Sequence, residues 1–267
     1  MKQNISGRVN KRFKIINKLY RQIINSFEIE SVHQFRTEIK KLRAFLRLLN
    51  VEINDDVLKI PKQLKLFYSY VGTIRNLQLQ LKNISDKADP ALTVTNIYID
   101  YLNKIIEKWE IRAIEFSYSK KDFSDDEKKL RKRLPRKLRK ASIKKYMRNK
   151  MNEFVILLKE LPSENILHSI RKLLKDILYN WKFIKPYKKM LPSYLSSKEK
   201  IRSFTELIGL LLDKYTGVNL LETYLKDSEE NGSFTEKDIS DLQKIESAWK
   251  NELQELSQKI YSKLGLS

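Results

Sequence analysis

A short cationic pattern occurs twice in this chain, and each copy carries one of its only two histidines. The first copy reads Ser31-Val32-His33-Gln34-Phe35-Arg36, followed by Lys40, Lys41, Arg43 and Arg47. The second reads Ile166-Leu167-His168-Ser169-Ile170-Arg171, followed by Lys172, Lys175 and Lys182. A further landmark repeats in register. Val71-Gly72-Thr73-Ile74-Arg75-Asn76 matches Ile208-Gly209-Leu210-Leu211-Leu212-Asp213, with 39 residues from histidine to glycine in one copy and 41 in the other. Two landmarks at nearly equal spacing imply duplication of a four-helix unit, so any fold for this chain must hold two copies of one plan.

Only six Gly and six Pro occur in 267 residues, and Leu, Ile, Lys and Glu dominate, which favours helices over strands. The spacing predicts an all-α chain with eight main helices. These run from about Asn4 to Phe27, from Ser31, from Pro61 to Ile84, and from Asp89-Pro90 to Tyr118. The second half continues from Ile143 to Leu161, from Pro162-Ser163 to before Pro186, from Ser197 to Lys226, and from Glu236 to Leu264. Ser31 with Gln34, and Ser124 with Glu127, have capping-box spacing. Pro135 interrupts a charged stretch, and 227–234, with Gly232, reads as a loop. Short connections predict two antiparallel four-helix bundles in one domain spanning 1–267, with halves at about 1–121 and 122–267.

Steps of three and four residues stack side chains on one helix face. His33, Arg36, Lys40, Arg43 and Arg47 follow those steps, opposite Phe35, Ile39, Leu42, Leu46 and Leu49. The row covers roughly 21 Å at 1.5 Å rise per residue. The second copy places His168, Arg171, Lys175 and Lys182 on one face, with Leu178 where a further charge is expected and Lys172 at the rim. The first helix adds Lys11, Lys14, Lys18 and Arg21, opposite Phe13, Ile16, Tyr20, Ile23 and Phe27. Lys65 and Arg202 correspond, each seven residues before a landmark glycine, and Arg75 lies inside the first landmark. A cationic row is unstable in hydrocarbon and must face water or a bound anion. The stretch 128–150 holds 13 basic residues in 23 and no acid, and reads equally as a solvated connector or an anion-binding edge.

Fifty-four basic residues face thirty-three acidic ones, giving a formal charge of +21. Such self-repulsion points to nucleic acid, an anionic surface or an inorganic polyanion as partner. The absence of cysteine excludes disulfides, thiolate nucleophiles and cysteine-based zinc sites, and fits a reducing cytoplasm. The N-terminal residues lack the apolar stretch of a signal peptide, and the longest apolar run, near 207–212, is too short to cross a bilayer. Two histidines far apart, without a carboxylate cluster, give no reason to expect a metal or another cofactor. Near helix starts, both histidines should have lowered pKa values, from neighbouring cations and the helix dipole, and a bound polyanion should raise them.

At Val32-His33-Gln34-Phe35-Arg36 with Lys40-Lys41-Leu42-Arg43, the chain resembles the CHAD family, the conserved histidine α-helical domain. The resemblance extends to Leu167-His168-Ser169-Ile170-Arg171-Lys172 with Lys175, and to Gly72/Asn76 and Gly209/Asp213. It implies two four-helix bundles related by a pseudo-twofold axis around a basic central channel that binds inorganic polyphosphate without turning it over. That role transfers to His33, Arg36, Lys40, Arg43, Arg47, His168, Arg171 and Lys175, with Lys41 and Lys172 adjacent. Leu178, Asp176 and Asn76 stand where the family commonly carries Arg, Arg or Lys, and Asp. The expected location is the cytoplasm, and a polyphosphate-binding role would open association with polyphosphate granules as an option.

Three functions compete. A polyphosphate-binding module is expected to have cation-rich faces nearly free of aromatics, and Tyr179 is the one aromatic beside the rows. A nucleic-acid-binding helical protein would interleave aromatics with the charge. A phosphohydrolase or phosphotransfer enzyme would use the histidines as nucleophiles, but no P-loop, zinc motif or nucleophile triad accompanies them, so the chain reads as a non-enzyme.

Overall fold

The computed structural model describes residues 4–55, 57–87, 93–230 and 236–264. All regular structure among them is helical: α1 (Ile5–Ser26), α2 (Ile29–Ile53), α3 (Lys62–Lys87), α4 (Thr93–Ser119), α5 (Ser124–Arg131), α6 (Lys140–Lys159), α7 (Glu164–Tyr179), the four-residue α8 (Trp181–Ile184), α9 (Lys198–Glu230) and α10 (Glu236–Leu264). Two 3-10 turns, Lys185–Met190 and Ser193–Leu195, join α8 to α9. No described helix is long and apolar enough to cross a membrane.

The helices group into two compact units, one of residues 1–72 and 109–205, the other of 73–108 and 206–267. Each unit therefore draws helices from both halves of the sequence.

In the first unit, α1 and α2 pack through the apolar faces their spacing predicts. Phe13, Ile16, Tyr20 and Ile23 of α1 and Phe35, Ile39, Leu42, Leu46 and Leu49 of α2 are all buried. Phe67 of α3 stands edge-on to both Tyr20 and Phe35, with ring centroids at 4.7 and 5.3 Å. Tyr20 also meets Phe123 at 5.1 Å and donates its hydroxyl to the Lys120 carbonyl at 2.5 Å. These edge-to-face aromatics each add about 0.5–1.5 kcal/mol beyond area burial, and they fix α1, α2, α3 and the α5 entrance as one core.

In the second unit, the Tyr224 ring of α9 lies tilted against Tyr98 and Tyr101 of α4, with centroids at 4.7 and 4.5 Å. Gln80 of α3 donates to Tyr98 Oη at 3.1 Å and to the Gly217 carbonyl at 3.2 Å. Trp249 is buried, and Lys214 lies over its ring and pairs with Glu252 at 2.8 Å.

Neither expected capping box forms. Ser31 sits buried inside α2, because the Val32 amide already closes the first turn on the Glu28 carbonyl. Gln34 instead donates to Glu30 at 2.7 Å. At α5 the cap is tertiary: Asn17 of α1 accepts the Phe123 amide at 3.0 Å, and Glu127 accepts from Asn10 at 2.9 Å. Asn17 of α1 thus satisfies the Phe123 amide, while Asp122 accepts the Ser124 amide at 2.9 Å. Part of the expected 227–234 loop is helix, since α9 continues to Glu230. The remainder, 231–234, and the Asp89-Pro90 start expected for α4 lie outside the described residues.

Candidate anion-binding site

Helices α2 and α7 lie side by side in the first unit, and an uncharged residue helps hold them there. α7 ends at Tyr179, and the buried Asn180 that follows donates to the Ala44 carbonyl of α2 at 2.8 Å and to the Asp176 carbonyl at 3.1 Å. A charged pair reinforces the contact. Arg47 Nη1 of α2 meets Asp176 Oδ1 of α7 at 2.6 Å, and Lys150 of α6 approaches the other oxygen at 3.4 Å. The Asp176 side chain is only 4% exposed.

This packing brings the two cationic rows onto one surface. The Lys172 pKa is lowered first by partial burial, then by the charges of Arg47 and Arg43 across the helix pair. The His168 pKa is lowered by partial burial, then by Arg171, Lys172 and, from α2, Lys40. Only Glu164, the last and smallest cause, pulls His168 upward. The imidazole is therefore held toward its neutral form by cations that a bound anion would offset. His33 is exposed in the second turn of α2, and Lys175 is half-buried on α7.

The arginines of the two His-x-x-Arg motifs do something else. Arg36 Nη1 donates to the Tyr68 carbonyl of α3 at 3.4 Å, and its guanidinium lies 4.7 Å over the Tyr68 ring. Arg171 Nε donates to the Thr205 carbonyl of α9 at 3.2 Å. Tyr68 and Thr205 each precede a landmark glycine by four residues, so both arginines reach the corresponding carbonyl. Gly72 makes the first of these bonds possible. A Cβ at that position would stand 2.3 Å from Arg36 Nη1. Each arginine thus spends one donor on fastening its helix, Arg36 to α3 and Arg171 to α9.

Other expected residues fall around this surface. Lys11, Lys14, Lys18 and Arg21 are exposed along α1, away from its buried face. It is Arg12, outside that stripe, that reaches α2, where Arg12 and Lys41 close on the buried Glu38, the latter at 2.6 Å. Burial works to raise the Glu38 carboxyl, but hydrogen bonds and charge from Lys41 and Arg12 hold it below the usual carboxylate range. Lys41 is thereby turned toward α1. Lys65 and Arg202 are exposed on α3 and α9, and Arg75 belongs to the second unit. Lys182 does not continue the α7 row, because the helix breaks at Asn180 and Lys182 stands on α8.

Tyr68, Lys150 and Asn180 were not anticipated. Tyr68 also lies 5.8 Å from the Arg43 guanidinium and within electrostatic reach of Tyr179, so two tyrosines, not one, adjoin the rows. The signal for Tyr68 is its spacing four residues before Gly72. Asn180 carries no signal in a single sequence.

A family model for the CHAD domain matches residues 9–213. The chain belongs to the CHAD family. The crystal structure of the CHAD domain from the plant Ricinus communis superposes with a TM-score of 0.68 over 97% of this chain and 89% of that one, at 14% identity. That likeness establishes an all-α CHAD fold at a distance where sequence identity says little. No curated protein matches the chain. The family model covers both His-x-x-Arg motifs and both glycine landmarks, including the α2 and α7 surfaces described above.

Proposed function

We propose that this CHAD protein binds inorganic polyphosphate and does not turn it over. One observation carries the reading: the cationic rows of α2 and α7 meet on a single surface, with Arg43 and Arg47 depressing the Lys172 ammonium and Lys40 acting on His168. Cations gathered in this way favour a ligand that brings many negative oxygens at short intervals. The proposed contacts are Lys40, Arg43, His168, Lys172 and Lys175, with His33 at one end and Arg47 at the other. Arg presents a fork to paired oxygens, and Lys follows a mobile chain as a point charge. The reading includes the internal pseudo-twofold duplication and a basic channel between its halves, which the paired Arg36–Tyr68 and Arg171–Thr205 fastenings support.

The same surface bears on nucleic acid, the competing ligand. One face of the Tyr68 ring is taken by the Arg36 guanidinium, which leaves at most one face on which a base could stack.

The test is calorimetric titration with polyphosphate at two salt concentrations, for the wild type and for Arg43→Glu combined with Lys172→Glu. These two residues are chosen because Arg36→Glu would also break a helix fastening. Affinity should fall steeply with salt and collapse in the double variant while helicity is kept. Equal displacement by duplex DNA or RNA at matched phosphate concentration would refute specificity. Steady phosphate release from labelled polyphosphate, abolished by His168→Ala, would refute the absence of turnover.

A further inference from the structure

The α2–α7 surface leaves most of the chain's positive charge unused, and much of it lies in two acid-free stretches, 128–150 and 177–198. The fold joins them. Tyr187, in the 3-10 turn Lys185–Met190, donates its hydroxyl to the Lys140 carbonyl at the start of α6, at 3.0 Å. This sets Lys185, Lys188 and Lys189 against the helix start that carries Lys137, Lys140 and Lys144. All six are exposed, and none has a carboxylate partner among the described residues. The acids that reach the basic stretch are spent on its other members: Glu52 on Arg139 at 2.6 Å, Asp125 on Lys128 at 3.0 Å, and Glu127 on Arg131 at 3.5 Å.

We infer that this lysine edge is a second docking site for polyphosphate, engaged only by chains too long for the α2–α7 surface; the inference rests on the function proposed above. The geometry sets the length dependence. α6 starts at the lysine edge and carries Lys150 to Asp176 beside Arg47, ten residues further on. Ten residues of helix span about 15 Å, so a short chain held at α2 and α7 does not reach the edge and a long one does. The composition favours a baseless polymer. The edge is mainly lysine, which suits a mobile chain of phosphates, and the hydroxyl of Tyr187 is committed to the backbone.

The experiment compares a short oligophosphate with a chain of about a hundred phosphates. Both are titrated into the wild type and the Lys185→Glu, Lys188→Glu, Lys189→Glu triple variant over a range of salt. The short chain should bind both proteins equally. The long chain should bind the variant at least tenfold more weakly, with a log–log salt slope shallower by about 2, at roughly 0.7 per lost phosphate contact. A Lys→Gln triple at the same positions, which adds no acid, should repeat the effect at smaller amplitude and guards against misfolding. Unchanged long-chain affinity and slope in both variants would overturn the second site. Loss of RNA binding with polyphosphate of both lengths unaffected would overturn it in favour of a nucleic-acid edge. Failure of the short chain to bind the wild type would strike the α2–α7 reading itself and remove the basis of this one.

Discussion

Asp176→Asn should tighten anion binding while weakening the fold, and the two effects have one cause. The carboxylate is 4% exposed and neutralises Arg47 at 2.6 Å and Lys150 at 3.4 Å, at the edge of the surface where phosphate is proposed to bind. A phosphate on the outer side of Arg47 would lie about 6 Å from that carboxylate. Two unit charges at this separation repel by about 0.7 kcal/mol in water and about 2.8 kcal/mol at the effective dielectric near a protein surface. Removing the acid should therefore gain about 1–3 kcal/mol of binding, roughly fivefold to more than a hundredfold at low salt. The log–log salt slope should steepen by about 0.7–1.4 as one or two cations are released to the ligand. Stability should fall by about 3–5 kcal/mol, because Arg47 and Lys150 keep their charge in a partly buried place without the partner that offset it. Calorimetric titration reads the first effect and urea unfolding the second, with titration kept at temperatures where far-ultraviolet circular dichroism shows full helicity. Lost stability with unchanged affinity would place Arg47 outside the anion surface. Weaker binding by the fully folded variant would mean that Asp176 orients Arg47 for the ligand rather than competing with it.

Gly72→Ala should raise helix propensity by about 1 kcal/mol yet displace Arg36 from the Tyr68 carbonyl, since the new Cβ would stand 2.3 Å from Nη1. In an Arg36→Ala background the same substitution should be stabilising, with a coupling of about 1–2 kcal/mol in a double-mutant unfolding cycle; additivity would deny the fastening. The His168 pKa is lowered in the free protein, so its contribution to stability is present above the ordinary histidine pKa and is lost as pH falls through the folded value. A polyanion reverses the bias, and titrations near pH 6 in buffers of different ionisation enthalpy should show proton uptake that His168→Gln diminishes. Glu38 is held below the usual carboxylate range, so its stabilising contribution is present above the unfolded carboxyl pKa and disappears as pH falls through the folded one. Glu38→Gln should flatten the acid limb of the stability profile below about pH 4.5, and an unchanged limb would count against the Arg12–Glu38–Lys41 cluster.

The apolar faces of α1 and α2 were legible because period and burial obey one rule, and every core position assigned to Phe35, Ile39, Leu42, Leu46 and Leu49 is buried. The cationic faces were legible for the same reason, as their complement. What a single sequence did not carry is how side chains are spent across helices. Arg36 and Arg171 look like row members by spacing, and the spacing gives no sign that each also fastens its helix to a neighbouring carbonyl. Lys182 follows the right interval, but the interval is meaningless once Asn180 breaks the helix. Ser31 and Ser124 had the correct local chemistry for caps, but α2 starts two residues before Ser31, and at α5 Asp122 and the distant Asn17 took the role. Local rules held where the partner was near in sequence and failed where the fold supplied one from elsewhere.

Asn180 ties α7 to α2 through a neutral hydrogen bond to the Ala44 carbonyl, and a second, to the Asp176 carbonyl, holds the amide against its own helix. Counterions weaken attraction between charges but scarcely touch such bonds. Part of the frame that sets the distance between the two helices is thus indifferent to brine, while the proposed grip on polyphosphate should be acutely sensitive to it. A concentrated electrolyte wash should strip the cargo from an immobilised sample and leave the empty receptor ready to reload.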